Sequence, residues 1–426
     1  MTSRAGGPDG PTVVVIGGGA AGLMAAIAAA RAGARVVLFE GNDRVGKKLV
    51  TTGNGRCNLT NVGASAADYH AGRALVQAVL PRFTPGQAVA FFEEAGLQCR
   101  VEDRGRVFPL TGQASAVLDV LRLLVDEVGA TVRTGSTVTA VTRAGQGFDL
   151  RVATSDEGGR VEERVRADRV VLATGGRAAP GTGSQGQGYA LAGALGHAIV
   201  EPFPALVQLR AASPHLKALA GARVEARVTV RVTGGGTAHA DGEVLFADYG
   251  LSGPAVLSVS RTAAEALAHG RTVTLELSLL PGRDASAAAD LLQARRRSHP
   301  TRTTHELLVG LVHKRVIVPL LKDLALPTDR PSAELTATDL ADLARRLTAW
   351  SFAVTATTGW TGAQVTAGGI AADEVDPTTL ESRKAPGLFL AGEVLDVDGD
   401  SGGYNLQWAW ASGWVAGRSA GAAPPP

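Results

Sequence analysis

The sequence predicts an α/β fold in which a parallel-sheet domain is split by a large insertion of antiparallel strands and helices. Three observations carry this. A β-α-β unit occupies the first stretch after residue 11, the texture turns to antiparallel strands near Glu201, and α/β texture returns after Trp350.

Val13–Ile16 reads as a buried strand, four β-branched residues stopped by a glycine turn. Ala20 to Ala32 reads as an alanine-rich helix closed by Gly33, and Arg35–Glu40 as a second strand ending in an acid. Strand, helix and strand within roughly thirty residues imply parallel strands joined by a right-handed crossover. Helices are expected over Gly86–Ala95 and Ala114–Val128, a hairpin from Thr131–Thr142 and Phe148–Ala153, and an apolar strand over Asp168–Ala173. Beyond Glu201, strands are expected at Val207–Arg210, Ala222–Val232, Glu243–Phe246 and Thr272–Leu279, then helices between Ala285 and Leu324 and over Thr338–Trp350. Leu388–Leu390 reads as a strand and Leu406–Ser419 as a helix. The expected division is a leader at 1–11, a first nucleotide-binding part at 12–200, the insertion at 201–350, a second part at 351–420 and a tail at 421–426. Leader and tail are expected to be disordered.

Composition narrows the function. At 426 residues, 45% hydrophobic and 19% charged, the chain is no disordered polyelectrolyte. Lys+Arg 42 against Asp+Glu 40 is too balanced for a protein working mainly through a phosphate-binding field, so no nucleic-acid partner is expected. Cys57 and Cys99 form neither a C-x-x-C pair nor a metal spacing, and the 8 histidines are scattered. No metal site is expected, and a reducing cytoplasm suits such a chain. Thr12 to Ala30 is uncharged and imitates an export signal, but glycines 17, 18, 19 and 22 interrupt it; no membrane association is expected.

Gly17-Gly18-Gly19-Ala20-Ala21-Gly22 fits G-x-G-x-x-G. Gly17 permits the turn, Gly19 lets backbone approach a pyrophosphate, and Gly22 lets the helix pack on the sheet; the N–H groups from Ala20 and Ala21 onward face an anion. Glu40, at the end of the second strand, is placed to accept two ribose hydroxyls, which selects FAD or NAD over a 2′-phosphorylated cofactor. A second spacing match, Gly181 to Gly186, lacks the preceding strand and reads as a loop. Three features favour flavin. Ala173-Thr174-Gly175-Gly176 ends a strand in small residues; Lys47, Lys48 and Arg56 bracket the loop around Gly53; Ala391-Gly392-Glu393 precedes Gly402-Gly403-Tyr404-Asn405, whose helix start suits the charge of reduced flavin. Lys47 and Lys48 read equally as a solvated face. Cys57 reads as a small buried hydrophobe, and Trp408, Trp410 and Trp414 as core.

These segments resemble a known family. Gly46-Lys47-Lys48-Leu49 with Gly53-Asn54-Gly55-Arg56-Cys57-Asn58-Leu59-Thr60-Asn61, then Gly105-Arg106-Val107-Phe108-Pro109, Gly250-Leu251-Ser252-Gly253-Pro254, Val365 to Ile370, and Ala391 to Gly399 with Gly402 to Gln407, are similar to motifs of the BaiN/RdsA-like NAD(P)/FAD-dependent oxidoreductases, the aminoacetone oxidase family FAD-binding enzymes. The matches run in order from Val13 to Gly417. The resemblance implies a Rossmann-like FAD domain of the two-glycine, glutathione-reductase type, split by an inserted domain with β-barrel and helical parts. It implies that Gly17–Gly22 and Glu40 hold the ADP half, that Val138 offers backbone to adenine, and that Thr174-Gly175 lines the pyrophosphate. Gly392-Glu393 and Gly403-Tyr404-Asn405-Leu406 would flank the ribityl chain and isoalloxazine. Ala247-Asp248-Tyr249 and Arg177-Ala178-Ala179 depart from the family pattern where a substrate is read.

The expected function is an FAD-dependent oxidoreductase passing hydride between a small organic substrate and flavin N5, of amine oxidase or double-bond reductase type, reoxidised by NAD(P) or oxygen. NAD(P)H is a candidate transient electron donor. The alternative is a flavoprotein with an RNA-modifying or binding role. Substrate, catalytic acid or base, and oligomeric state stay open.

Overall fold

The computed structural model describes residues 10–156 and 159–423. Most of the expected leader, and residues 424–426 of the expected tail, lie outside the described residues. The chain forms two units: Met1–Pro202 with Val365–Pro426, and Phe203–Gln364.

The first unit is built on a five-stranded sheet. Its strands, in spatial order, are Leu388–Leu390, Arg169–Leu172, Thr12–Ile16, Arg35–Phe39 and Thr131–Arg133, all parallel. Val13, Val14 and Val15 are fully buried, as continuous apolar strands of a sheet covered on both faces must be. Helix Ala20–Arg31 follows the first strand, and the last helix, Tyr404–Gly421, packs on it so closely that only glycine fits. A Cβ on Gly413, Gly417 or Gly421 would lie 2.4, 2.3 or 2.4 Å from the carbonyl oxygens of Ala21, Ala25 and Ala29. These two four-residue ladders place one stripe of each helix face to face. Trp408 and Trp410 are core; the Trp410 Nε1–H donates to Leu59 O at 2.8 Å.

Two elements differ from the sequence reading. The expected strand Thr131–Thr142 is divided: Thr131–Arg133 joins the parallel sheet, while Ser136–Ala144 turns into a separate antiparallel sheet with Gly147–Asp156 and Gly159–Ala167. The break falls at Thr134-Gly135, where the Gly135 N–H donates to Asn42 O at 2.7 Å. The third of those strands is rich in Glu and Arg, so its sequence has too little apolar alternation to announce it.

The second unit is a closed six-stranded barrel with helices. The barrel order is Leu209–Ala212, Gly250–Ser252, Thr237–Ala247, Arg223–Val232, Val273–Ser278 and Trp350–Thr357, with every neighbouring pair antiparallel. Arg223–Val232 alternates exposed and buried residues almost throughout, and Val228, Val230, Leu275 and Phe352 fill the core. The insertion therefore runs to Gln364 and not to Trp350: Trp350 opens the strand that closes the barrel. The Gly-Leu-Ser-Gly-Pro segment is part of this scaffold, since a Cβ on Gly253 would lie 2.5 Å from Glu243 O. Among the described residues no helix is long and apolar enough to cross a membrane.

Candidate flavin site

The first strand ends at Gly17, whose φ of 103° is left-handed and whose Cβ would meet Ala173 O at 2.5 Å. A Cβ on Gly22 would lie 1.8 Å from Gly17 O. Packing therefore demands both glycines. Gly19 differs: a Cβ there meets nothing within 4 Å. It caps helix Ala20–Arg31 without a side chain, so the first-turn N–H groups open onto space suited to an anion.

Glu40 ties this turn to the second strand. Its Oε2 accepts from the Gly18 N–H at 2.7 Å, and its Oε1 accepts from the Asn42 N–H at 2.8 Å and Asn42 Nδ2 at 2.7 Å. A carboxylate has about four acceptor positions, so roughly one is left for a ribose hydroxyl, fewer than the two expected. Val138 is buried on a strand that starts beside Glu40, where the Ser136 N–H donates to Glu40 O at 2.9 Å, and a bulge follows between Val138 and Ala140.

The crossing strands are fixed by parallel-sheet bonds, Ala173 N–H to Ile16 O at 2.9 Å and Ala391 N–H to Leu172 O at 3.1 Å. Thr174 Oγ1, next to Gly175, is buried without a hydrogen-bond partner among the described residues. Gly392 is held by the last helix: its N–H donates to Ser412 Oγ at 2.9 Å and its carbonyl accepts from Trp408 Nε1 at 3.1 Å. Glu393 accepts from Lys48 Nζ at 2.6 Å and from the Thr366 N–H at 2.6 Å. Thr366 Oγ1 in turn accepts from the Arg177 and Ala178 N–H groups. Lys48 thus reaches the segment after the last strand of the sheet, whereas Lys47 bonds Asp43, a largely exposed partner.

The loop between them coils tightly, with φ of 56° at both Gly53 and Asn54. Arg56 leaves the loop to meet Glu102 at 2.5 Å and to lie 4.2 Å above the Phe108 ring. Asn58 Oδ1 is buried and unpartnered among the described residues, 3.0 Å from where a Gly403 Cβ would sit. Gly403 caps the last helix without a side chain. The Asn405 side chain folds back, bonding the Gly399 N–H at 2.9 Å and Gly399 O at 2.8 Å, so it shapes its own loop. Leu406 packs on the core.

Sequence reasoning gave no role to Thr366, Ser412 or the glycine ladder of the last helix; the ladder had a local signal in its four-residue spacing, and Thr366 lies in the Val365 to Ile370 motif. It also missed Tyr189, whose hydroxyl is buried and unpartnered among the described residues, and whose ionisation burial opposes. Cys57 is buried, and desolvation pushes its thiol up to about 12, against a weaker opposing bond from Thr52. A His197 ring bridging Glu374 at 2.9 Å and Ser382 Oγ at 2.7 Å imitates a hydrolase triad. Ser382 is buried and already accepts from the Lys384 and Ala385 N–H groups, so the constellation is a brace and no nucleophile.

The family model described as HI0933-like protein Rossmann domain matches residues 11–419. The chain belongs to this HI0933-like family. It is 39% identical over 413 residues to the 3-dehydro-bile acid delta(4,6)-reductase of Clostridium scindens, covering 96% of this chain and 99% of that one. It is 32% identical over 406 residues to the ribosomal RNA dihydrouridine synthase of Escherichia coli K12, covering 94% and 96%. Among solved structures, the fold is similar to the 3-ketosteroid delta1-dehydrogenase of Sterolibacterium denitrificans, with a TM-score of 0.51 at 14% identity over 96% of this chain and 99% of that one. As a member of the HI0933-like family, the protein is a flavin-dependent oxidoreductase.

Proposed function

We propose that this HI0933-like protein is an FAD-dependent reductase of carbon–carbon double bonds conjugated to a carbonyl. The observation that carries the cofactor is the track of unfilled polar capacity: open space at Gly19, the remaining acceptor position on Glu40, and the unpartnered Thr174 Oγ1 and Asn58 Oδ1. Those groups fit a pyrophosphate, a ribose, the chain between them and the polar edge of the ring. The first-turn N–H groups of Ala20–Arg31 would hold the pyrophosphate, Glu40 the ribose, and the helix start at Gly403 would face the ring's negative charge. When bound, FAD supplies hydride transfer at N5. Lys48 and Glu393 neutralise each other, which keeps a partly buried charge from disturbing that region.

The reaction class is supported by what the two relatives' names share. A 3-oxo steroid with delta-4,6 unsaturation and a uracil ring each present a double bond conjugated to a carbonyl, and both named activities saturate one. A second reading, reduction of a uridine within RNA, is favoured by the Escherichia coli relative. The test is anaerobic. NADH or NADPH should bleach the yellow protein, and a 3-oxo-4-ene steroid or a ribosomal RNA fragment should restore the colour, whichever succeeds naming the substrate class. Bleaching by small amines, with no recovery from either acceptor, would replace this reading with amine oxidation. Denaturation followed by filtration should release the flavin, since nothing beside the fingerprint suggests covalent attachment.

A further inference from the structure

The small antiparallel sheet of Thr60–Asn61, Arg106–Pro109 and Cys99–Val101 carries a charge arrangement that the flavin site leaves unused. Arg56 and Arg100 converge on one carboxylate, Glu102, at 2.5 and 2.9 Å. Arg104 and Arg106 stand on the same hairpin, and Arg104 is exposed. Four arginines and two acids, Glu102 and Asp103, thus share this stretch of the chain's surface: Arg106 Nε donates to the Asp103 carbonyl oxygen at 3.1 Å, and Arg56 and Arg100, both on Glu102, keep 40% and 44% of their side chains exposed. Planar forks of this kind match carboxylate and phosphate oxygens in pairs.

The patch is mechanically joined to the ring end of the flavin site. Phe108, under Arg56, lies 3.5 Å from where a Gly53 Cβ would sit. Asn61 Nδ2 donates to Arg104 O at 3.0 Å and to Gly402 O at 3.1 Å, linking the arginine turn to the segment that opens the last helix. Arg104 holds a φ of 58°, a left-handed conformation that a non-glycine residue keeps only when its surroundings enforce it. The residue held in that conformation is an exposed arginine, between Asp103 and Gly105 on the turn.

We propose that this arginine patch docks an anionic group of the substrate, a carboxylate or a phosphate, while the conjugated bond reaches the flavin. Glu102 is the internal anion that organises the guanidiniums and competes with the ligand. The proposal rests on the double-bond reductase reading for the remainder of the substrate, so its test is binding without turnover. Calorimetric titration of oxidised holoprotein uses two matched pairs: a 3-oxo-4-ene steroid carboxylic acid with its methyl ester, and uridine 5′-monophosphate with uridine. One charged member should bind about 10-fold tighter than its neutral partner, the order expected for charge-assisted bonds at a half-exposed site. The pair that shows the gap identifies carboxylate or phosphate as the source. Combining Arg100→Ala with Arg104→Gly, which keeps the left-handed turn, should remove the gap without releasing flavin. Glu102→Gln should widen it, a change of sign that a purely structural patch would not give. Equal binding within both pairs, a gap that survives loss of both arginines, or a gap that narrows in Glu102→Gln would overturn the proposal. Failure of both acceptors to reoxidise flavin, with the gap intact, would instead count against the reductase reading.

Discussion

Gly19→Ala separates cofactor binding from folding more cleanly than any other change in the fingerprint. Gly19 has φ −81° and ψ −170°, a conformation alanine adopts freely, and its Cβ would meet nothing within 4 Å. Replacing glycine lowers unfolded-chain entropy, which stabilises by about 0.4–1 kcal/mol. Losing glycine at a helix N-cap costs a few tenths of a kcal/mol or more in the other direction. The two nearly cancel, so apo stability should shift by less than about 0.5 kcal/mol. The added methyl, however, occupies the approach to the first-turn N–H groups. Displacing a pyrophosphate oxygen from one such donor loses a charge-assisted bond of about 1.5–3 kcal/mol, or roughly 10- to 150-fold in FAD affinity. Urea unfolding of apoprotein and FAD titration by flavin fluorescence measure the two terms separately. Gly22→Ala is the contrast, because its Cβ 1.8 Å from Gly17 O forces the helix off the turn and should cost about 1–3 kcal/mol of apo stability. FAD affinity unchanged within about twofold in Gly19→Ala would refute the placement of the pyrophosphate.

Glu40→Ala removes three acceptor contacts from the apoprotein as well as the proposed ribose contact. Apo stability should fall by on the order of 2–4 kcal/mol alongside FAD affinity, so an affinity loss with an unchanged urea midpoint would contradict the bracing role. Gly417→Val places a Cβ 2.3 Å from Ala25 O and must part the first and last helices. Its cost should be at least about 1–3 kcal/mol, read as a lower urea midpoint and faster flavin release. Cys57, its thiol raised from 9.0 to about 12 by burial, carries about 1000-fold less thiolate at pH 8 than an ordinary cysteine, and reactivity rises only as pH approaches that value. An aromatic disulfide reagent should leave it untouched in native protein and label it after unfolding; rapid native labelling at pH 8 would remove the desolvation argument.

What the sequence by itself determined is what its local patterns dictate. Five β-branched residues and a glycine turn make the strand Thr12–Ile16, the alanine run makes the helix Ala20–Arg31, and an apolar triplet makes Leu388–Leu390. The glycine spacing after the first strand and the ordered family motifs name the candidate site residues from local pattern alone. Only tertiary structure decided which partners those residues keep. Lys47 and Lys48 are adjacent and chemically identical, yet one bonds Asp43 at the surface and the other bonds Glu393 across 345 residues. Asn58 and Asn405 have the same side chain, but burial leaves the Asn58 Oδ1 without a partner among the described residues while the 399–400 loop satisfies Asn405. Trp350 ends a helical pattern in sequence and opens the barrel's closing strand in space, because the open edges beside it supply the hydrogen bonds. Periodicity and turn chemistry act over a few residues and so are written locally. Pairing of charges, register of distant strands and access to open space depend on which surfaces the folded chain brings together, and no short stretch of sequence contains them.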